Sequence, residues 1–551
     1  PAKVTIRGVG VENIFPGGDP GVPVHINGHY AQNTAYVIRD MLDVERVEVL
    51  RGPQGTLYGR NAIGGSINII TKRPTNDFEG SVAFDIGNYS KRNFQAVASG
   101  PFSDSLRGRI AVSDEKRDGY VENISIPGDD RDTSDYTSVR VALDYDLNDD
   151  VNVYLNAYTF EDKGNSGQRL FDEYPSGPVV RGGPNYYILN NAGTNPTLLD
   201  PFKISNNTPS ENKNESDGGS LDLNWDLGEM EFRSLTAYDQ STYDLLADGD
   251  GAAVVNTEVR FFMPFETFTQ EFQLLSTGDG ALNWVVGMFY YDEESSYTFH
   301  FLNDQSTTDI NGDGVIDQND PRRWVFTAND IESAAVGVYG QLDYALSDQV
   351  ELIAGLRYSS DEKVAVDTGL SIGLEGLPIP APLFGAGDRK EDWSEITGKL
   401  GINYHVSDDV MLYASYSTGY KAGGFNLLQT DPYDPEQVDA FEAGLKSRWL
   451  GDRLQLNVAT FYYDYQDKQD FQRFVGSAGN VTFEIVNAAA ATSEGVEVEV
   501  QAKVTEALSV DFSLGYLNAE IDEFMSIDST APIGGGLRDL SGNELPFSPR
   551  L

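Results

Sequence analysis

The amino-acid sequence predicts an all-β membrane protein: a large antiparallel transmembrane β-barrel that follows a small mixed α/β segment. Three observations lead to this prediction. Apolar and polar residues alternate in many short segments, the turns between these segments are near-copies of one another, and the connections are alternately short and long. The 551 residues would otherwise suggest three or four soluble domains. A barrel escapes that expectation because each added strand extends the wall instead of requiring a new core.

The alternation indicates strands with one apolar face. Residues 350–358 place five apolar side chains on one face: Val350, Leu352, Ala354, Leu356 and Tyr358. Glu351, Gly355 and Arg357 fall on the opposite face, which is the period-two pattern of a barrel wall. Residues 151–156 and 454–459 alternate in the same way. The pattern predicts about 17 strands between residues 78 and 522, and an eighteenth that begins at residues 545–547.

The connections distinguish a membrane barrel from a soluble β-sandwich. Residues 147–151, 346–350 and 406–410 are near-copies rich in Asp, Asn and Ser, which suit tight hairpin turns. Residues 450–454 and 504–508 are looser versions. Between these turns lie eight longer connections, predicted at residues 115–135, 161–217, 241–263, 299–323, 361–391, 418–436, 467–482 and 523–545. Outer-membrane barrels alternate short periplasmic turns with long extracellular loops, whereas a soluble sandwich has no reason to do so.

Composition narrows the function classes. The formal net charge of −47 excludes nucleic acid as a partner, because phosphates would be repelled. The 29 Tyr and 28 Phe residues suffice for the aromatic girdles of a membrane barrel. No stretch approaches 18 consecutive apolar residues, so no transmembrane helix is predicted. The chain begins with Pro1 and shows no signal peptide, which predicts a processed or clipped piece.

Residues 1–77 have a different pattern and are predicted to form a separate domain ahead of the barrel, which would span residues 78–551. Turn clusters at residues 16–18 and 19–21 precede a short strand at 22–28. A helix is predicted over residues 35–42, and strands over 44–50 and 66–70. This is a small mixed α/β unit.

The run from Val44 to Lys72 resembles the C-terminal half of the plug domain in TonB-dependent outer-membrane receptors. Thirteen of its residues make up the plug motif: Glu45, Arg46, Glu48, Arg51, Gly52, Pro53, Gly55, Tyr58, Gly59, Arg60, Asn61, Gly64 and Gly65. Four barrel segments also resemble that family, and in the family's order: residues 415–426, 435–436 with 442–447, 461–465, and 487–488 with 495–497.

This resemblance implies a mechanism and a location. The protein would be a siderophore-receptor-like importer in the outer membrane of a Gram-negative bacterium, monomeric and in contact with lipid and lipopolysaccharide. A metal-chelate substrate, most often a ferric siderophore in this family, would bind the extracellular loops and the plug apex. TonB, driven by the inner-membrane complex, would then rearrange the plug. No enzyme activity or required cofactor is implied. Cobalamin and oligosaccharides are alternative substrates, and a passive porin or a surface adhesin is an alternative class.

The resemblance also implies missing parts. The family barrel has 22 strands, so about five would lie beyond Leu551. The TonB-contacting segment and the first half of the plug would lie before Pro1. The barrel is therefore expected not to close, and its first and last strands to be bare edges.

Two features of the plug motif have physical explanations. Its glycines permit the dihedral angles and close backbone approach that a compact plug requires. Glu45, Arg46, Glu48 and Arg51 alternate in charge along one strand, which favours ion pairs between plug and wall. The alternative is that these charges simply keep an exposed strand soluble.

A separate motif at residues 309–320 predicts a calcium site. Asp309, Asn311 and Asp313 occupy positions 1, 3 and 5 of a twelve-residue calcium loop, and Gly314 supplies the sharp turn at position 6. The remaining ligands would be the carbonyl of Val315 and the side chains of Asp317 and Asp320. Calcium bound here would rigidify the 299–323 loop. The alternative is an acidic loop rich in Asn and Gly.

Candidate substrate contacts are weaker. His25 and His29 flank a plug turn and could touch substrate, although hydrogen-bonded loop histidines are the alternative. The long connection after residue 161 carries Tyr174, Arg181, Tyr186 and Tyr187, aromatic and cationic groups that suit an organic metal chelate but equally suit loop packing. No arrangement of Ser, His and Asp predicts a catalytic triad.

Overall fold

A computed structural model describes most of the chain: residues 4–10, 16–31, 41–165, 202–204, 206, 208–248, 257–303, 323–374, 384–385, 388–426, 432–475, 481–527 and 537–551. The predicted calcium loop, the four candidates between Tyr174 and Tyr187, and all but the last two residues of the predicted 35–42 helix lie outside these residues. Met41 and Leu42 are described, and Leu42 belongs to a turn.

The N-terminal segment forms six strands: β1 (Thr5–Ile6), β2 (Val9–Gly10), β3 (Val24–Ile26), β4 (His29–Ala31), β5 (Val44–Arg51) and β6 (Gly65–Thr71). Strands β1 and β2 make a small hairpin, and the other four form one sheet in the order β4-β3-β6-β5. Val24, Ile26 and Ile69 are buried in this sheet, whereas β5 is an edge strand with most residues exposed. This segment is called the plug below.

The remaining strands follow in chain order: β7 (Glu79–Ile86), β8 (Arg92–Pro101), β9 (Leu106–Arg117), β10 (Glu122–Asn123), β11 (Ser134–Asp146), β12 (Val151–Asp162), β13 (Lys203–Ile204), β14 (Glu211–Asp226), β15 (Met230–Asp248), β16 (Thr257–Ser276), β17 (Leu282–Asn303), β18 (Arg323–Ser347), β19 (Val350–Leu374), β20 (Phe384–Gly385), β21 (Arg389–Ser407), β22 (Val410–Lys421), β23 (Gly424–Phe425), β24 (Pro432–Tyr433), β25 (Glu436–Trp449), β26 (Leu454–Val475), β27 (Val481–Thr505), β28 (Leu508–Glu523), β29 (Met525–Ile527) and β30 (Leu537–Asp539). Among the residues described, no helix is long and apolar enough to cross a membrane.

Among the described residues, seventeen long strands build the wall of the barrel, which agrees with the predicted number. They are β7–β9, β11, β12, β14–β19, β21, β22 and β25–β28. Each of these strands except the last pairs in an antiparallel manner with the next one along the chain. All five predicted tight turns join adjacent wall strands at one end, called the short-turn end. The opposite end is called the long-loop end.

Several wall strands are longer than the sequence predicts. Strand β19 continues to Leu374, where the alternating pattern predicted an end near residue 361. It stays paired with β18 over this extension, through pairs such as Thr327 with Leu370. Backbone pairing continues after the apolar face has ended, because peptide groups need partners whether or not a bilayer covers the side chains. The predicted long connections are correspondingly shorter.

The wall has the predicted apolar outer face. Leu356 is 62% exposed and Tyr358 is 50% exposed, while Arg357 between them is only 3% exposed and points into the lumen. Similar exposed apolar residues recur around the barrel, including Val338, Leu400 and Phe512. A continuous exposed apolar band is the surface that a bilayer covers.

The first and last wall strands differ from one part of the prediction and confirm another. The strand order closes into a barrel, where the sequence predicted an open sheet. Within the described residues, however, register pairs join β7 only to β8 and β28 only to β27. Seventeen alternating strands leave β7 and β28 running in the same direction, so they cannot continue the antiparallel ladder. All of β7 and the first nine residues of β28 are exposed, so both strands have the bare edges that the sequence predicted.

The predicted eighteenth strand is not a regular strand. Residues 543–550 instead follow the end of β28 through a few hydrogen bonds. The Leu545 amide donates to Ala519 O at 2.9 Å, and the Leu517 amide donates to Arg550 O at 3.0 Å. A bridge between Glu520 and Glu544 completes this irregular contact. Pro546 cannot donate to a ladder, which limits regular pairing here.

Candidate functional site: the plug–wall interface

The first plug–wall contact is centred on Arg7, in the turn between β1 and β2. Its guanidinium donates to Glu442 of β25 at 2.7 Å and to both carboxylate oxygens of Glu497 of β27 at 2.9 and 2.8 Å. It also donates to the Tyr463 hydroxyl and lies 4.0 Å above the Phe461 ring. These residues form the Arg7 cluster. Burial alone would lower the pKa of Arg7, but the two carboxylates outweigh it and raise the pKa above its ordinary value.

Arg51 of the plug motif extends the Arg7 cluster. It donates to Glu497 at 3.0 Å and forms an ion pair with Glu499 at 2.8 Å. Glu497 therefore bridges two plug arginines. Both Glu442 and Glu497 belong to barrel segments that carried the family resemblance, so the plug motif and these barrel motifs meet in space.

The second contact is buried and centred on Asp19, in the plug turn at residues 19–21. Its carboxylate accepts hydrogen bonds from Arg60 at 2.9 Å, Asn61 at 2.8 Å and Lys363 of β19 at 2.5 Å. Arg60 also lies 3.2 Å from Asp361, which accepts the Tyr420 hydroxyl at 2.6 Å. Burial would raise the pKa of Asp19, but the Arg60 and Lys363 cations lower it, so the carboxyl stays ionised. These residues form the Asp19 cluster.

Asn61 connects the plug motif directly to the wall motif at residues 415–426. Its amide N–H donates to Tyr420 O at 3.0 Å, and its side-chain oxygen accepts the Ala422 amide at 3.1 Å. Asn61 has a φ of 68°, a left-handed conformation that asparagine tolerates better than most residues. The residue is fully buried. Asn61 thereby satisfies the end of β22 much as a neighbouring strand would.

Close approach explains the glycines of the plug motif. A Cβ atom built on any of them would lie within 3.0 Å of another heavy atom: Gly52, Gly55, Gly59, Gly64 and Gly65. Gly59 is the clearest case, with a φ of 78° and the Arg357 guanidinium 2.7 Å from the Cβ position. Arg357 extends from β19 into the lumen and donates to Ser359 at 3.0 Å. Only glycine leaves room for this wall arginine against the plug.

A third contact ties the plug to the first wall strands. Asp43 accepts two hydrogen bonds from Arg109 of β9, at 2.5 and 2.6 Å. The Leu42 carbonyl accepts from Arg140 of β11 at 2.5 Å. The plug is thus held by charged groups at three separate sectors of the wall.

The prediction that all four charged residues of β5 pair with the wall is wrong for three of them. Arg46 pairs with its neighbours Glu45 at 3.0 Å and Glu48 at 2.7 Å, and all three side chains are substantially exposed. Only Arg51 reaches the wall. Strand β5 is the free edge of the plug sheet, so its charges face solvent, as the solubility alternative expects.

His25 and His29 do not present nitrogens to a ligand in this conformation. His25 is buried, with Nδ1 3.0 Å from Ser66 Oγ and its ring edge-on to Tyr30 and Tyr58. Burial, with a contribution from His29, lowers the pKa of His25 to about 3. His29 is also buried, and its Nε2 lies 3.4 Å from Asp239 of β15. Both histidines belong to the packing of the plug and its contact with the wall.

Sequence reasoning missed Arg7, Asp19 and Asp43, which carry the three contacts. A signal existed for Arg7, because the Arg7-Gly8 pair repeats the Arg51-Gly52 pair of the plug motif. Asp19 lies in a turn cluster that was noted only for its conformation. Asp43 has no comparable signal, because a lone acidic residue before a strand is common.

A large antiparallel barrel whose lumen holds a separately folded domain is the architecture of a plugged outer-membrane transporter. Comparison with known families agrees. The family model "TonB dependent receptor-like, beta-barrel" matches residues 158–551, and the "TonB-dependent Receptor Plug Domain" model matches residues 1–66. The chain belongs to the TonB-dependent receptor family, as its sequence motifs predicted.

Similar proteins are receptors of the same kind. The pesticin receptor of Yersinia pestis is 23% identical over 558 residues, covering 100% of this chain and 72% of the relative. The ferripyoverdine receptor of Pseudomonas aeruginosa is 25% identical, covering 83% of this chain and 52% of the relative.

Two solved structures show the same fold. The ferric yersiniabactin uptake receptor FyuA from Yersinia pestis has a TM-score of 0.76 at 21% identity, covering 100% of this chain and 75% of that one. The siderophore receptor PiuA from Acinetobacter baumannii has a TM-score of 0.71 at 19% identity, with 100% and 77% coverage. The family consists of transport receptors of Gram-negative outer membranes that work with TonB, and it is not a family of enzymes.

Proposed function

We propose that this protein imports a ferric siderophore across the outer membrane, with the work of opening delivered to the plug through TonB. The observation that carries the proposal is the plug held inside the barrel by the buried Arg7 and Asp19 clusters. A passive porin needs an open lumen. The similar proteins support the substrate class, since they include siderophore receptors and a metal-pseudopaline receptor.

The contacts explain why opening requires work. Separating a buried ion pair without replacing its partner costs about 3–5 kcal/mol. The Arg7 side chain is 4% exposed, and those of Asp19, Arg60 and Lys363 are 1–5% exposed. Spontaneous release of both clusters would therefore be rare. A pulling force that admits water would lower the cost, because water can solvate the separated charges.

The proposal is tested by uptake of radioactive iron. The full-length protein is expressed in a Gram-negative host that lacks its own siderophore receptors, and a panel of iron-loaded siderophores is supplied. We expect accumulation of at least one chelate, which stops when the proton gradient is collapsed or TonB is deleted. Surface binding in the cold should persist, because binding to the apex requires no energy.

Labelled cobalamin and a labelled oligosaccharide provide the comparison arms. Energy-dependent uptake of either one, with no iron chelate accumulated, would replace the proposed substrate class while leaving active import intact. Accumulation that continues after the gradient is collapsed would contradict active import itself and favour a porin.

We also propose that residues 309–320 bind calcium, on the evidence of the sequence motif alone. The neighbouring strands support an extracellular position: β17 ends at Asn303 and β18 begins at Arg323 at the long-loop end, and β18 then runs to the tight turn at Ser347. In the proposed orientation this end is extracellular. A dissociation constant of about 10⁻⁴–10⁻³ M would suffice there.

Calorimetry with Ca²⁺ tests the calcium site. We expect one binding event in the full-length protein that is lost in Asp309→Ala with Asp313→Ala, because two of the ligands are removed. Asp348→Ala with Asp409→Ala, at two tight turns of the opposite end, is the matched control and should leave binding unchanged. Absent Ca²⁺ binding, or binding that survives the first double substitution, would contradict the site.

A further inference from the structure

A cavity of about 300 Å³ lies between the plug and the wall, beside the Arg7 cluster. Plug residues 51–54 form one side, and lumen-facing residues of β21, β22 and β25 form the other. The residues that matter for its chemistry are Arg51, Lys399, Tyr413, Ser415, Glu442 and Lys446. The cavity is close to the short-turn end, because its lining includes Asn403 and Met411, within four residues of the turn that joins β21 to β22. We call it the vestibule.

The vestibule has an excess of positive charge. Arg51 is neutralised by Glu497 and Glu499, and Glu442 is occupied by Arg7 and by the Tyr413 hydroxyl at 2.7 Å. Within the described part of the chain, neither Lys399 nor Lys446 has a carboxylate at ion-pair distance. Lys446 lies 5.6 Å from the Tyr413 ring centroid, and Lys399 acts on Asp343 only through longer-range electrostatics. Two uncompensated lysines are unusual in a chain of net charge −47.

The strand register places the two lysines at different heights. Lys399 pairs with Ser417 of β22, and Lys446 pairs with Met411 of the same strand. Six residues of a strand separate these levels, about 20 Å at roughly 3.3 Å per residue. Tyr413 and Ser415 lie between them and present hydroxyl groups to the lumen side. The vestibule is therefore a polar passage with a cation towards each end.

We propose that the vestibule is a binding site for anionic groups, of the carboxylate or phenolate class that metal chelates carry. The proposal rests on the proposed function, because the ligand would arrive from the apex after the plug contacts open. A cavity of about 300 Å³ has room for an anionic arm of a metal chelate. Carboxylates elsewhere in the lumen would repel such a ligand, and the two lysines offset that repulsion on the way to the short-turn end.

Charged thiol reagents test the proposal, because the sequence contains no cysteine. Ser415→Cys is introduced into the full-length protein in outer-membrane fragments. Its rates of modification by anionic 2-sulfonatoethyl and cationic 2-(trimethylammonium)ethyl methanethiosulfonate are then compared. The control is Asn283→Cys, an exposed position on β17 that does not line the vestibule. We expect a higher anionic-to-cationic rate ratio at Ser415→Cys than at the control.

Two further measurements distinguish an anion-binding site from a general effect of charge: replacement of the lysines, and competition with inorganic phosphate. Lys446 lies at the level of Met411, about 13 Å from Ser415 along the strand at roughly 3.3 Å per residue. A unit charge at that distance in water changes this ratio about threefold, so Lys446→Gln should lower it by that factor at Ser415→Cys and leave the control unchanged. Inorganic phosphate should slow modification at Ser415→Cys and should stop doing so after Lys399→Gln with Lys446→Gln. Because Lys446 is exposed to the lumen, we expect the Lys446→Gln variant to fold, so that its rate ratio can be measured.

Three results would each overturn the proposal. The anionic-to-cationic rate ratio could be equal at the two cysteines, it could be unchanged at Ser415→Cys by Lys446→Gln, or phosphate could fail to slow the modification of Ser415→Cys. None of these measurements requires transport. Their failure would leave active import standing, and a failed uptake assay would leave the anion preference measurable.

Discussion

Arg7→Ala is expected to weaken docking of the plug by about 3–5 kcal/mol, the cost of removing one partner from a buried ionic contact. Glu442, whose side chain is only 22% exposed, would keep only the Tyr413 hydroxyl as a partner among the described residues. Hydrogen exchange of the β3 and β6 amides measures the effect. Since each 1.4 kcal/mol is tenfold, exchange through plug release should quicken by about two to four orders of magnitude.

Arg46→Ala is the matched control for Arg7→Ala. Arg46 also pairs with two glutamates, but its side chain is 52% exposed and its partners lie on the same plug strand. Exposed ion pairs contribute at most about 1 kcal/mol, so exchange should change little. Combining Arg7→Ala with Glu442→Gln should recover part of the loss, because the unpaired charge is removed. Equal effects of Arg7→Ala and Arg46→Ala would contradict the role assigned to the Arg7 cluster.

Asp19→Ala is expected to have a similar effect through a different sector of the wall. Arg60 would keep Asp361 as its partner, whereas Lys363 would keep only the Gly17 carbonyl among the contacts that the described residues show, at 2.9 Å. Leaving a buried ammonium without its carboxylate costs about 3–5 kcal/mol. The plug should become sensitive to protease in outer-membrane fragments, and cells should admit antibiotics too large for porins.

A double-mutant cycle distinguishes loss of the ion pair from general damage. Lys363→Met in the Asp19→Ala background should restore part of the protection, because residues in direct contact are energetically coupled. Glu45→Ala removes an exposed plug carboxylate and should change stability by no more than about 0.5 kcal/mol. Additive effects of Asp19→Ala and Lys363→Met would show that the two residues do not act as a pair.

Local patterns sufficed for the barrel but not for its plug contacts. The period-two alternation and the repeated turns predicted 17 wall strands, because both depend on neighbouring residues along the chain. Strand ends were less predictable, since β19 continues beyond its apolar pattern wherever β18 still offers backbone partners.

The charged residues of β5 show why contacts were harder to predict. Glu45, Arg46, Glu48 and Arg51 have the same alternating signature, yet only Arg51 lies opposite wall carboxylates. The sheet order decides this outcome by leaving β5 at an edge. Arg7 and Asp19 lie in short turns with little pattern of their own, and their partners on the wall are hundreds of residues away in sequence.

By itself the sequence determined the class of this protein: a membrane barrel of about 17 strands with a plug motif, and a family resemblance that the comparisons confirm. These properties follow from local periodicity and from motifs of contiguous residues. Only the tertiary structure decided which plug charges hold the wall, why Gly59 must lack a side chain, and where two lysines remain uncompensated. Such contacts join strands that are distant in sequence, and the free energy of each depends on burial that no single segment encodes.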